Sequence, residues 1–192
     1  TPTERRSGTI INVSSMGGRL VVSRMGAWYH ATKYAVEALS DALRMELRPF
    51  GIDVVVVEPG GIRTEWASIA ADHLEATAEG SAYADQIRDV AGAMRSESNR
   101  RHYSPPEVIA RTVGKIVTAR HPRTRYAVGF MATPLIAARR VLPDRAFDQQ
   151  IRAADQQAEA ELLRVEPGAE AGHVALLQQP AQTFAGRGGG EA

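Results

Sequence analysis

The run Ile52-Asp53-Val54-Val55-Val56-Val57-Glu58 holds four consecutive valines. A strand with one solvated face alternates polar and apolar residues, because successive side chains point to opposite faces. An unbroken apolar run therefore demands cover on both faces, which helices flanking a parallel sheet supply. Upstream, residues 8–15 (GTIINVSS) read as a second buried strand rich in β-branched residues. Between them, from Trp28 to Pro49, Ala35, Leu39, Ala42, Leu43 and Leu47 recur at helical spacing. Gly51 then supplies a stop, since it enters the left-handed region without a Cβ penalty. Strand, helix and strand in this order make a βαβ crossover, so the predicted fold class is α/β.

The remaining segments extend this pattern. Residues 66–104 are polar and alanine-rich and predict one or two mobile helices acting as a lid. Residues 104–119 predict a helix with Ser104 as its cap and prolines in its first turn. TRYAVGF (124–130) predicts a short edge strand, and a following helical stretch should break at Pro143. With 192 residues, one well-cored domain over 1–152 is expected, followed by a helical then flexible tail over 153–192.

Composition narrows the chemistry. A formal net charge of +1 gives no field that would favour nucleic acid or an anionic membrane. No apolar run approaches the roughly 20 residues of a membrane helix. The absence of cysteine excludes disulfides, thiol nucleophiles and thiolate metal sites, and fits a reducing, cytoplasmic location. His30, His73, His102, His121 and His173 show no metal-ligand spacing and read as structural or surface residues, so no metal is expected. A G-x-S-x-G elbow is also absent around Ser15.

In open α/β sheets, ligands bind beyond the carboxyl ends of the strands. Ser14 and Ser15 end the first strand, and Pro59-Gly60-Gly61 ends the second. Tyr29 and Lys33 open the intervening helix at the same edge, four residues apart and so on one face. Three segments should thus converge on one cleft. A free phenol has a pKa near 10 and is a sluggish acid–base group at neutral pH. An ammonium beside it in a partly desolvated cleft favours the phenolate. A serine hydroxyl from Ser15 could orient a substrate oxygen beside the phenol. Such a trio moves protons to and from a carbonyl or alcohol oxygen but owns no hydride, which implies a redox cofactor. The bland alternatives are a packed helix tyrosine, a solvated lysine and glycines that only turn the chain. Trp66 either caps a lipophilic pocket or simply packs.

INVSSMGG, the Tyr29-x-x-x-Lys33 pair opening a long helix, and VEPGGIRT stand in an order and separation that resemble the second half of a short-chain dehydrogenase/reductase, from about residue 8 to residue 66. The resemblance implies a Rossmann-like doubly wound parallel sheet, an NAD or NADP cofactor and an NAD(P)-dependent oxidoreductase acting on a small, fairly apolar carbonyl or alcohol. It implies that Ser15 positions the substrate oxygen, Tyr29 donates or accepts the proton, and Lys33 also binds the nicotinamide-ribose hydroxyls. Pro59, Gly60 and Ile62 would line the nicotinamide, with the Ile62 backbone facing the carboxamide, and Thr64 would reach the cofactor's phosphate or amide. Ser15 is favoured over Ser14 because it directly precedes Met16-Gly17-Gly18. A homo-oligomer formed through the helix that begins at Trp28 is expected by the same likeness. The family's TGxxxGxG turn, cofactor-selecting residue and catalytic asparagine are not found here, and Asn12 is not that asparagine. The chain starts at Thr1, so the N-terminal half of the domain is expected to be missing and this stretch to be inactive alone. Two rivals stand beside this reading: a related epimerase or dehydratase, and a non-catalytic binding or regulatory protein of the same fold.

Overall fold

The valine run becomes the middle strand of a three-stranded parallel sheet in a computed structural model that describes residues 7–163. Strand β1 spans Gly8–Val13, β2 spans Ile52–Pro59 and β3 spans Arg125–Val128, in the spatial order β1-β2-β3. Gly8 pairs with Ile52 and Val13 with Val57, while Val56 pairs with Arg125 and Pro59 with Val128. Val54, Val55, Val56 and Val57 are all fully buried, as both-face cover requires. β3 lies at the edge, as its short sequence suggested.

Helix α1 (Ala27–Leu47) covers one face. Three helices follow β2: α2 (Trp66–Glu75), α3 (Ala84–Arg95) and α4 (Glu97–His102). The lid stretch thus folds as three helices rather than one or two, because Ser96 breaks what would otherwise be one run. Arg95 ties this group together, bonding Asp72 at 2.6 Å and Glu75 at 2.7 Å. Helix α5 (Glu107–Thr118) covers the second face, where Ile116 packs with Val55 and Val57. The sheet is therefore wound on both sides, as expected of a Rossmann-like fold. Ser104 does not cap α5, which starts at Glu107 behind Pro106. Its backbone is engaged elsewhere, pairing with Gly61 and Arg63 at the strand end.

Helices α6 (Ala132–Val141) and α7 (Asp144–Leu163) are separated at Leu142-Pro143, where proline removes a donor and blocks continuation. Phe147 of α7 and Ile136 of α6 enclose Leu20, which anchors the loop that follows Ser15. Helix α7 continues past residue 152 to Leu163, and the flexible part of the tail expected over 153–192 lies outside the described residues.

Gly51 adopts φ 66°, ψ 28°, the stop expected of it. Helix α1, which ends at Leu47 ahead of the 3₁₀ turn Arg48–Phe50 that Gly51 closes, turns an unexpected side inward. Leu39 is 57% exposed, whereas His30, Glu37 and Ser40 are buried against the sheet. Each of these polar side chains has a specific partner, although His30 Nε2 and Glu37 Oε1 are buried without one. Ser40 accepts from Asn12 at 2.9 Å. Glu37 Oε2 accepts from Arg125 Nε at 3.0 Å, Arg125 Nη2 reaches Asp41 at 2.6 Å, and Glu58 meets Arg19 at 3.1 Å and Arg125 at 3.3 Å. Ionic pairing thus replaces apolar packing on this face.

The network has a pH signature. Burial, and then the neighbouring Glu37 carboxylate, push the Glu58 carboxyl above its ordinary value against the pull of Arg19 and Arg125. Asp41 moves the other way, because hydrogen bonds and charge from Arg44 and Arg125 outweigh the opposing effect of burial. A carboxyl raised on folding holds its proton longer in the native state than in the unfolded one. Its contribution to stability therefore falls as pH rises from the unfolded value, about 4.3, through the raised native value. Glu58→Gln removes this titration and leaves that of Asp41 in place. The variant is expected to gain stability relative to the parent as pH rises from about 4 towards 7, measured by urea unfolding across that range. A difference independent of pH would contradict it.

Candidate active site

The carboxyl ends of β1 and β2 and the start of α1 meet, as their order in the sequence required. Ser14 extends the β1 pairing, its N–H donating to Val57 O at 2.9 Å. Ser15 then turns the chain into a single 3₁₀ turn, Met16–Gly18, and its Oγ accepts from Gly17 N at 3.0 Å. The same hydroxyl lies 3.4 Å from Pro59 O, to which it can donate. Gly18 permits the turn to touch α1, since a Cβ there would lie 2.7 Å from Ser14 Oγ and 2.8 Å from Lys33 O. Both contacts are shorter than real Cβ atoms tolerate, so only glycine allows this approach. Ser14 Oγ donates to Lys33 O at 3.3 Å, which fastens the strand tip to the helix.

Tyr29 and Lys33 lie on one face of α1. The Lys33 ammonium stands 5.9 Å from the Tyr29 ring centroid, and it donates to Val13 O at 3.3 Å. Both side chains are half-buried, which weakens solvent screening between them. Trp66, at the start of α2, sets its ring 5.2 Å from the Tyr29 ring. Trp66 both packs on this ring and lines the cleft, and it is 52% exposed.

Ser15, Tyr29, Lys33, Pro59, Gly60, Ile62 and Thr64 all line one cavity of about 680 Å³. Gly61 O accepts from Ser104 N at 3.0 Å, and Ser104 O accepts from Arg63 N at 2.9 Å. These bonds flank Ile62 and leave its own amide directed to the opposite side of the bridge. Gly60 and Gly61 spend their N–H groups on Val128 and Phe130. Thr64 Oγ1 accepts from Trp66 N at 3.3 Å, so in this conformation its hydroxyl starts α2.

Distant segments complete the walls. Val90 and Met94 come from α3, Tyr103 and Phe130 from the loops beyond the strands, and Ile151 from α7. Nothing local in the sequence marks them, because each reaches the cleft only through the packing of the helix or loop that carries it. Burial pushes the Tyr103 phenol up, so this second cleft tyrosine stays protonated at neutral pH and does not compete as a base. His30 was legible only as a structural or surface histidine. It is 3% exposed, lines the cleft and meets Gly17 O at 2.8 Å through Nδ1.

The sequence pattern of the short chain dehydrogenases matches residues 2–74. A probable short-chain type dehydrogenase/reductase of Helicobacter pylori is 33% identical over 144 residues, covering 74% of this chain and 51% of that protein. A 3-ketodihydrosphingosine reductase of Bacteroides thetaiotaomicron is 34% identical over 149 residues, covering 77% of this chain and 54% of the relative. Among solved structures, a short-chain dehydrogenase from Streptomyces avermitilis superposes with a TM-score of 0.51 at 25% identity, over 85% of this chain and 55% of its own. The chain spans about half the length of the curated relatives it matches. The serine turn, the tyrosine–lysine helix and the strand-end glycines stand where these likenesses run, and the chain belongs to the short-chain dehydrogenase/reductase family.

Proposed function

We propose that the protein carrying this chain is an NAD(P)-dependent oxidoreductase that interconverts an alcohol and a ketone or aldehyde, with Tyr29 as general acid and base. The observation that carries this reading is the convergence of Ser15, Tyr29 and Lys33 on one cleft beyond the strand ends. A bound nicotinamide dinucleotide would supply the hydride. The residues present suit such a group: the Ile62 amide is directed away from the Ser104 bridge, Pro59 and Gly60 edge the cleft, and Lys33 extends its ammonium past the tip of β1. Ser15 donates a hydrogen bond to the carbonyl oxygen and holds it beside the phenol. In reduction Tyr29 delivers its proton to that oxygen as hydride reaches the carbon. In oxidation the phenolate accepts the proton from the alcohol, and Lys33 favours this anionic form through its charge.

The substrate wall is apolar, built from Met16, Val22, Val90, Met94 and Ile151. The cavity of about 680 Å³ has to hold both the nicotinamide end of the cofactor and the substrate, and its apolar wall favours an apolar substrate. The relative named as a 3-ketodihydrosphingosine reductase acts on a ketone, in keeping with this class. Trp28 and Leu39 share the outer side of α1 and are 88% and 57% exposed. A second copy of the protein packing there belongs to the same reading. No helix among the described residues is long and apolar enough to cross a membrane.

The test is a carbonyl panel of graded size, run on the intact protein with NADH and with NADPH. Oxidation of the reduced cofactor is expected for at least one cofactor, with higher kcat/KM for ketones bearing larger apolar groups. No turnover across the panel, in either direction, would overturn the assignment.

A further inference from the structure

Ser15 and Tyr29 sit on different elements, so a third group has to set the spacing of their hydroxyls. Gly17 lies between them. Its N–H donates to Ser15 Oγ at 3.0 Å, and its carbonyl meets His30 Nδ1 at 2.8 Å. A Cβ at this position would lie 3.0 Å from His30 Nδ1 and 3.1 Å from Tyr29 Cε1. Gly17 is therefore closed between the two rings, which stand edge-on with centroids 5.6 Å apart and planes at 72°.

The hydrogen bond fixes the tautomer. A carbonyl oxygen only accepts, so Nδ1 must carry the proton that it donates. In the neutral ring Nε2 is then bare, and this atom is buried without a partner. A His30 that served only to fill the core would need neither a defined tautomer nor contact with the turn that carries Ser15.

We propose that His30 is a positioning residue for the proton transfer assigned to Ser15 and Tyr29, a role that rests on that assignment. By holding the Gly17 carbonyl it fixes the 3₁₀ turn whose amide aims Ser15 Oγ. Its ring edge also limits how far the Tyr29 ring can swing. The demand for such a device is steep, because a displacement of about 1 Å at reacting groups can cost about 10²-fold in rate.

Three variants of the intact protein test this. His30→Asn keeps an amide N–H near the place of Nδ1, His30→Gln carries its amide out towards the place of Nε2, and His30→Leu keeps volume alone. His30→Gln and His30→Leu are expected to lower kcat by about 10- to 100-fold with little change in cofactor affinity. His30→Asn should recover most of that loss. A second readout does not depend on turnover: exchange of the Gly17 amide hydrogen, followed by ¹⁵N NMR, should be slow in the parent and His30→Asn and faster in the other two.

Equal kcat loss in Asn and Leu would overturn the proposal, as would unchanged kcat and Gly17 exchange in Gln and Leu. A neutral ring protonated on Nε2, seen in histidine ¹⁵N spectra, would also overturn it. If His30→Leu does not fold, the comparison of Asn with Gln still decides, since both retain a polar amide. If the parent reduces no carbonyl, the functional assignment fails separately, and unchanged Gly17 exchange would still reject the clamp.

Discussion

Replacing Tyr29 by phenylalanine is expected to lower kcat/KM of the intact protein by about 10²- to 10⁴-fold, the range in which a positioned general acid–base group acts. Phenylalanine keeps the ring that packs beside Trp66 and edge-on to His30, so folding and cofactor affinity should change little. On the proposed mechanism, what disappears is the group that passes a proton to the substrate oxygen. Ser15 still orients that oxygen and Lys33 still contributes its charge, which is why a residual rate should remain. Steady-state kinetics with cofactor titration separates the two effects. Turnover equal to the parent's would reject Tyr29 as the acid, whatever the fold.

The largest expected effect on stability lies elsewhere, in Arg125→Met. Arg125 contacts three carboxylates, Glu37, Asp41 and Glu58, from two different elements. The side chains of Glu37 and Glu58 are only 8% and 4% exposed. With Arg125 gone, Glu37 keeps Arg19 at 4.0 Å and Glu58 keeps Arg19 at 3.1 Å, so one guanidinium faces two buried acids. Breaking buried ion pairs from one side typically costs about 3–5 kcal/mol. Methionine fills much of the volume, so little of that loss would come from a cavity. Urea unfolding should show it as a lower midpoint with an unchanged slope. A loss under about 1 kcal/mol would instead place these contacts with exposed surface pairs. The same network reaches the edge of the cleft, because Glu58 adjoins Pro59 and Arg19 belongs to the loop beyond Ser15.

Much of the site was legible early because its signals are local. The spacing of Tyr29 and Lys33 fixes a shared helix face, and Ser15 lies just beyond a strand that ends at Val13, where the β-branched residues stop, two residues short of the end expected. The face that α1 turns inward was not legible. Hydrophobic periodicity pointed to Ala35 and Leu39, yet both are exposed and Glu37 and Ser40 are buried. Periodicity assumes that burial means apolar packing. Here Arg125, 88 residues from Glu37 and 84 from Asp41, and Asn12 on Ser40 reverse that rule. Ser104 misled for a related reason: its capping chemistry was correct in type, but a long-range bridge to Gly61 and Arg63 claimed its backbone.

By itself the sequence determined the parallel sheet, the order strand–helix–strand and the three segments that had to share one edge. Those follow from side-chain alternation, helix spacing and chain connectivity, all of which act over a few residues. Tertiary structure alone decided which face of α1 is buried, which distant side chains wall the cleft, and that His30 meets the Gly17 carbonyl of the serine turn. Each of these depends on a partner supplied by another element, and the free energy of such a contact exists only once both elements are in place.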